Sequence, residues 1–254
     1  MPRTIILQSY RTSQVPGWIE KCMASVRHWA SLHGFEYRFI GDEIFDRVPA
    51  WYQDRAQGRM PVITDLGRLV LVREALMEGA DTAVWIDADV LVFDAADFRI
   101  DIADDHAFGR EIWVQPAGKD LKVYRNVHNA FCLFRQGNAV LDFYIHSCER
   151  IMRRVSGGVP NQIVGTKLLT ALHNIIGFPL IDDVGMISPL VLSDVAEGGG
   201  TALNLLIAKS AAPLKAANLC SSLVGGVADG IAIEETLMER AVSRLQREGR
   251  QLFD

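Results

Sequence analysis

Asp87 and Asp89 stand two residues apart inside "TAVWIDADVLVFD", residues 82–94. Four apolar residues, Ala83 to Ile86, lead into the first carboxylate, and apolar residues resume directly after the second. Unpaired charges beside a buried strand carry a heavy desolvation cost. A divalent cation shared by both carboxylates would remove it. Carboxylate oxygens are hard ligands that suit Mg²⁺ or Mn²⁺ better than zinc. A cation held by only one or two protein carboxylates keeps open positions for substrate phosphates. In an extended backbone, residues two apart point the same way, so both groups are expected to face one point. The plain alternative is that the two aspartates only close a strand, as turn or cap residues.

Three strands and two helices must position this triplet. Residues 5–7 read as a short buried strand. A helix follows, with Pro16 in its first turn and Gly34 at its exit. Its apolar face is Trp18, Ile19, Cys22, Met23, Val26, Trp29 and Ala30. Residues 36–40 alternate as a strand does. A second helix is expected over 62–78, with Ile63, Leu66, Leu69, Val70 and Met77 in its stripe. The triplet then ends a third strand. This βαβαβ order predicts an α/β fold with a doubly wound, largely parallel sheet. In such sheets ligands bind beyond the carboxyl ends of the strands, where Asp87 and Asp89 stand.

Beyond residue 94 the reading is looser: strands at 112–115 and 130–134, and helices over 137–154, 162–175 and 233–248. The triple glycine within 197–201 predicts a mobile loop that orders over bound ligand. No repeat or linker divides the chain. We expect one domain in three stretches, 1–94, 95–222 and a C-terminal helical segment at 223–254.

The 254 residues carry 49% hydrophobic side chains, a mean hydropathy of +0.13 and a net charge of −5. That supports a substantial core and argues against a nucleic-acid partner, which would call for a basic surface. No apolar run resembles a signal peptide or a membrane span, so a cytoplasmic protein is expected. Cys22, Cys132, Cys148 and Cys220 lack metal-knuckle spacing and are expected to be buried, reduced thiols. His128 and His173 are the histidines expected nearest the site, with no role assigned.

"VWIDADVLVF" resembles the Asp-x-Asp motif of glycosyltransferases with the GT-A fold, a single Rossmann-like domain. The wider layout is similar to the retaining group that contains glycogenin and the bacterial lipopolysaccharide galactosyltransferases. The likeness is strongest over 4–93, moderate to about 166 and weak beyond. It implies a nucleotide-binding half (1–94) and a donor-sugar and acceptor half (95–222), with Asp87 and Asp89 holding Mn²⁺ or Mg²⁺ against the diphosphate of a nucleotide-sugar, a UDP-sugar by the same resemblance, and Ala88 beside the donor. It implies nucleotide contacts from Gln8, Ser9, Tyr10 and Arg11. "TDLGRLVL" resembles the helix that carries an arginine near the donor, pointing to Arg68 with Asp65 one turn earlier. The rival for these two is an (i, i+3) surface ion pair. "HNAFCLFR" resembles the strand that touches the donor sugar, through Asn129 and Ala130, with Phe131 where the group has glycine. "PNQIVGT" resembles the Asp-Gln pair beneath the anomeric carbon, with Asn161 in place of the acid and Gln162 retained. Loss of the acid implies a front-face mechanism, in which the departing phosphate deprotonates the acceptor. "AANLCSSLVGG" places Asn218 where the group supplies a histidine as third metal ligand. The implied partners are the donor and a sugar or glycoconjugate acceptor in bacterial glycan synthesis.

Two other classes fit part of the pattern. A haloacid-dehalogenase-like phosphatase would use Asp87 as nucleophile, with Asp182, Asp183 and Lys167 completing its motifs. Against it, two βα units precede the triplet, and Val90 and Leu91 follow it. A non-catalytic nucleotide-sugar-binding protein would suit the missing acid at Asn161.

Overall fold

The computed structural model describes residues 2–253. β1 (Thr4–Ser9) is buried from Ile5 to Gln8, as a strand covered on both faces must be. α1 (Gly17–Leu32) follows, with Pro16 as its extended N-cap residue and all seven expected apolar residues buried. Removing each large apolar side chain from water stabilises by about 1.5–3 kcal/mol. β2 (Glu36–Ile40) lies at the sheet edge, parallel to β1. A 3₁₀ turn at Asp42–Arg47 and α2 (Ala50–Ala56), both unanticipated, lead to α3 (Met60–Met77). α3 begins two residues before the expected start because Pro61 fits its first turn, where an amide hydrogen has no partner anyway. β3 (Thr82–Ile86) is wholly buried and parallel to β1. β4 (Val90–Val92) leaves that sheet after Asp87–Asp89.

β5 (His106–Ala117) and β6 (Asp120–Arg135) form one long antiparallel hairpin, and β6 also pairs antiparallel with β3. The strands expected at 112–115 and 130–134 are fragments of it. A register shift at Phe108/Gly109 interrupts the alternation by which a strand is recognised. α4 (Val140–Arg154) starts later than expected, where Asn138 Oδ1 accepts from Leu141 N at 2.9 Å. α5 (Thr166–Ile176) also starts late, residues 161–165 being turns. β7 (Leu180–Ile181) completes a sheet of order β2-β1-β3-β6-β5-β7. β8 (Val184–Met186) and β9 (Ala216–Asn218) join β4 in a second sheet of order β4-β9-β8. α6 (Pro189–Glu197), α7 (Thr201–Lys209) and α8 (Glu235–Glu248) cover it.

Alternate residues of the central strands feed two cores. Leu7, Ala83 and Trp85 pack with α3 and α4. Ile6, Val84 and Ile86 pack with Val26 and Trp29 of α1. The chain is thus a single α/β domain, its central sheet mostly parallel at the β2-β1-β3 end and flanked by helices. The four cysteines are free and buried.

The lid expected at 197–201 is not found at the cleft. The segment is a tight bend between α6 and α7, whose axes turn by 112°. Asp194 Oδ2 accepts from Ala202 N (2.8 Å) and Leu203 N (3.0 Å), and its carbonyl from Gly198 and Gly199. A Cβ at Gly200 would fall 2.1 Å from Asp194 Cγ, so the glycine serves close packing. The bend faces α8, where Glu197 pairs with Arg240.

Glu111 on β5 is 5% exposed, and Asn126, its cross-strand partner, donates to Oε1. Burial pushes the Glu111 carboxyl up to about 6. Its folded value lies above the unfolded one, so ionisation opposes folding. This cost is absent below about pH 4.5 and complete above about pH 6. Glu111→Gln keeps the oxygen that Asn126 uses. Its stability relative to the parent should therefore rise by roughly 1–2 kcal/mol between pH 4.5 and 7.5, measured by urea unfolding. A difference flat with pH would contradict this.

Candidate active site

A cleft of about 450 Å³ opens at the carboxyl ends of β1 and β3. Its floor is Asp87, Ala88 and Asp89. The triplet is not extended as expected. Val90 N donates to the Asp87 carbonyl at 3.1 Å, closing a turn. Both carboxylates nevertheless line the cleft, because each is fixed separately by its neighbours.

Asp87 is fixed from the N-terminal half. Its N–H donates to Ala130 O at 2.9 Å, continuing the β3–β6 ladder. Gln8 Nε2 donates to its carbonyl at 3.1 Å, and Tyr37 Oη donates to Gln8 Oε1 at 3.0 Å. Trp85 Nε1 donates to Asp87 Oδ1 at 2.6 Å. The Arg68 guanidinium approaches the same oxygen at 3.1 Å and lies 5.5 Å from the Trp85 ring centroid.

Asp89, 8% exposed, is fixed from the C-terminal half. Pairing of β4 with β9 sets Val90 opposite Asn218. Asn218 Nδ2 then donates to Asp89 Oδ1 at 2.6 Å, and Ser221 N to Oδ2 at 2.7 Å. Burial, followed by the neighbouring charge of Asp87, raises the Asp89 carboxyl above the usual carboxylate range.

Arg68 is 6% exposed, so the surface ion pair weighed from the sequence is excluded. Besides Asp87, it meets Asp65 Oδ1 at 3.2 Å and donates to Asn129 O at 2.8 Å. Asn129 Nδ2 in turn donates to Asp65 Oδ1 at 2.7 Å. Burial pushes the Asp65 carboxyl up to about 6, against the pull of Arg68 and Asn129. At neutral pH Asp65 is ionised and Arg68 charged. A Cβ at Gly165 would lie 2.8 Å from Asp65 Oδ2, so the turn before α5 can only close over this network through glycine.

Of the residues expected at the site, Ser9, Tyr10, Arg68, Asp87, Ala88, Asp89, Asn129, Gln162 and Asn218 line the cleft. Gln8, Arg11 and Asp65 do not. Gln8 is fully buried and holds the Asp87 backbone. Arg11 turns away to the Gln14 carbonyl at 2.9 Å. Asp65 lies behind Arg68 and Asn129. Asn218 has its oxygen engaged by Cys220 N at 2.8 Å, so it is arranged to orient Asp89. Gln162 sits on a turn ahead of α5, not in its first turn. Asn161 does not line the cleft; its oxygen accepts from Arg59 at 3.4 Å.

Sequence reading assigned no role to His128, which lines the cleft at 1% exposure. Its Nδ1 accepts from Ala130 N and its Nε2 lies 2.9 Å from Val184 O, which fixes the hydrogen on Nε2. Burial holds it neutral, down to about 4. A Cβ at Gly109 would overlap its ring, at 2.0 Å. His173 is elsewhere, accepting from Phe178 N. Asp182 pairs with Arg110 and Asp183 with Lys215, and neither they nor Lys167 line the cleft. Among the described residues, no three His, Cys, Asp or Glu side chains cluster as a metal site, and no single helix is long and apolar enough to cross a membrane.

The structure matches that of a glycosyltransferase involved in the glycosylation of the major capsid of PBCV-1, with a TM-score of 0.50. The alignment spans 96% of this chain and 98% of that one. The two share a fold. At 11% identity, the likeness lies in architecture and not in sequence. The glycosyltransferase GlyE of Streptococcus pneumoniae aligns over 98% of this chain and 63% of its own, with a TM-score of 0.36 and 10% identity. No protein-family model and no curated protein matches the sequence.

Arg68→Met would leave Asp65 buried without its counter-charge. Such a loss costs about 3–5 kcal/mol, to be measured by urea unfolding. Adding Asp65→Asn should recover part of it, because the amide needs no cation. A double variant no more stable than Arg68→Met would contradict the pairing.

Proposed function

We propose that this protein transfers a sugar from a nucleotide-diphosphate donor, a UDP-sugar by resemblance, to a sugar or glycoconjugate acceptor, with a divalent cation at Asp87 and Asp89. The observation that carries this reading is the charge of the cleft floor. Asp65, behind the floor, and Asp87 share the guanidinium of Arg68, while Asp89, buried beside Asp87, has neutral donors and, among the described residues, no cation paired with it. Three carboxylates thus face one guanidinium in a partly buried site, an imbalance that a divalent cation would meet. The donor set fits: two hard carboxylates, with the remaining positions available to diphosphate oxygens and water. When bound, Mn²⁺ or Mg²⁺ would supply Lewis-acid neutralisation of the leaving diphosphate. The shared fold with a glycosyltransferase is consistent with this reading.

The chain's own residues divide the remaining roles. Ser9 and Tyr10, with Ile44, form the end of the cleft suited to the nucleoside. Asn129 is held rigid by Asp65 and faces the donor sugar. Gln162, exposed on its turn, offers its amide oxygen to positive charge developing at the anomeric carbon. No acid stands at Asn161, so the departing phosphate deprotonates the acceptor on the face it leaves from. The phosphatase alternative lacks its second acidic motif in the cleft.

Thermal unfolding with UDP and Mn²⁺ tests the reading. Saturating ligand at a hundred times Kd should stabilise by about 2.7 kcal/mol. EDTA, Asp87→Ala and Asp89→Asn should each abolish the effect of the metal. Full stabilisation in both variants would overturn it. Gln162→Ala should lower kcat far more than it raises the donor KM, because its contact strengthens only in the transition state. A raised KM with kcat intact would make Gln162 a binding residue.

A further inference from the structure

The chain has five tryptophans, and four are partnered. Trp18 Nε1 donates to Glu235, Trp29 Nε1 to Phe98 O, and Trp85 Nε1 to Asp87. Trp51 carries the Arg153 guanidinium over its ring at 4.6 Å. Trp113 differs. It is partly exposed and lines the cleft. Among the described residues its N–H has no acceptor and its ring has no aromatic or cationic partner. A large apolar ring with a free polar edge, left standing in a cleft wall, is built for something that is not this chain.

The hairpin register extends that surface. Trp113 on β5 lies directly opposite Tyr124 on β6, so both side chains project from the same face, about 4.5–5.5 Å apart at Cβ. Tyr124 is 37% exposed. Gln115 and Lys122 form the next pair outward on this face, and Lys122 Nζ lies 4.6 Å from the Tyr124 ring centroid. The face therefore runs from the cleft to solvent as two successive aromatic rings edged by polar groups.

We propose that this strip binds the acceptor and that the acceptor is a carbohydrate chain of at least two sugars. A pyranose has one face of C–H groups and hydroxyls around its edge. That matches an aromatic plane bordered by an indole N–H, an amide and an ammonium. The terminal sugar stacks on Trp113 within the cleft, and the next sugar lies on Tyr124 outside it. The inference rests on the sugar-transfer reading, which gives the acceptor only as a sugar or glycoconjugate.

The test is saturation-transfer NMR and calorimetry in the presence of UDP and Mn²⁺. The probes are the methyl pyranosides of glucose, galactose, mannose and N-acetylglucosamine, with linear trisaccharides ending in each. At least one trisaccharide should bind about tenfold tighter than its methyl glycoside, the gain of one added ring contact. Trp113→Ala should weaken that trisaccharide by about tenfold or more, and Trp113→Phe should restore most of the affinity. Tyr124→Ala should remove the advantage of the trisaccharide over the methyl glycoside. Circular-dichroism melting reports whether each variant is folded. If UDP and Mn²⁺ bind but no saccharide does, or if Trp113→Ala binds as the parent does, this inference falls and the donor reading stands. If UDP and Mn²⁺ also fail to bind, both fall.

Discussion

A buried guanidinium holds the cleft floor together. Arg68 reaches from the middle of α3 to Asp65 on its own helix, to Asp87 at the end of β3 and to the carbonyl of Asn129 on β6. A helix and two strands of the main sheet are therefore tied at one charge. Burying a cation is costly unless its partners are fixed in good geometry. Here the Trp85 ring, the Asn129 amide and the turn at Gly165 close around it. Asn129 and Asp87 inherit their positions from this packing.

The two carboxylates of the triplet belong to different parts of the molecule. Asp87 is the last residue tied to the main sheet, through Ala130 and Gln8. Asp89 belongs to the second sheet, through Leu219 N on its carbonyl and the Asn218 and Ser221 donors on its oxygens. Three residues thus span the junction of two sheets. A change in how β9 packs on β4 would move Asp89 relative to Asp87 without touching either side chain.

The electrostatics of the cleft follow from that junction. Desolvation and the charge of Asp87 both work against an ionised Asp89, while its hydrogen-bond donors favour it. The neutral His128 behind the floor adds no positive charge. The proposed cation would supply compensation beyond Arg68.

The sequence by itself determined the βαβαβ order, the apolar face of α1 and the place of Asp87 and Asp89 at a strand's end. These follow from local periodicity, which the backbone repeats of helix and strand impose on any chain. The resemblance carried by its motifs also pointed to Arg68, Asn129 and Gln162, which line the cleft. The tertiary structure decided the rest. Gln8 and Asp65 look from the sequence like ligand-binding polar residues, yet each is buried as a support for another. Burial of a polar side chain depends on partners far along the chain, such as Tyr37 for Gln8 and Asn129 for Asp65. The flexible composition of 197–201 became a capped bend because Asp194 accepts from the amides of Gly198 and Gly199 within it and of Ala202 and Leu203 just after it. Trp113 falls within the strand expected at 112–115, and only the hairpin register and the position of the cleft show that it stands in the cleft wall.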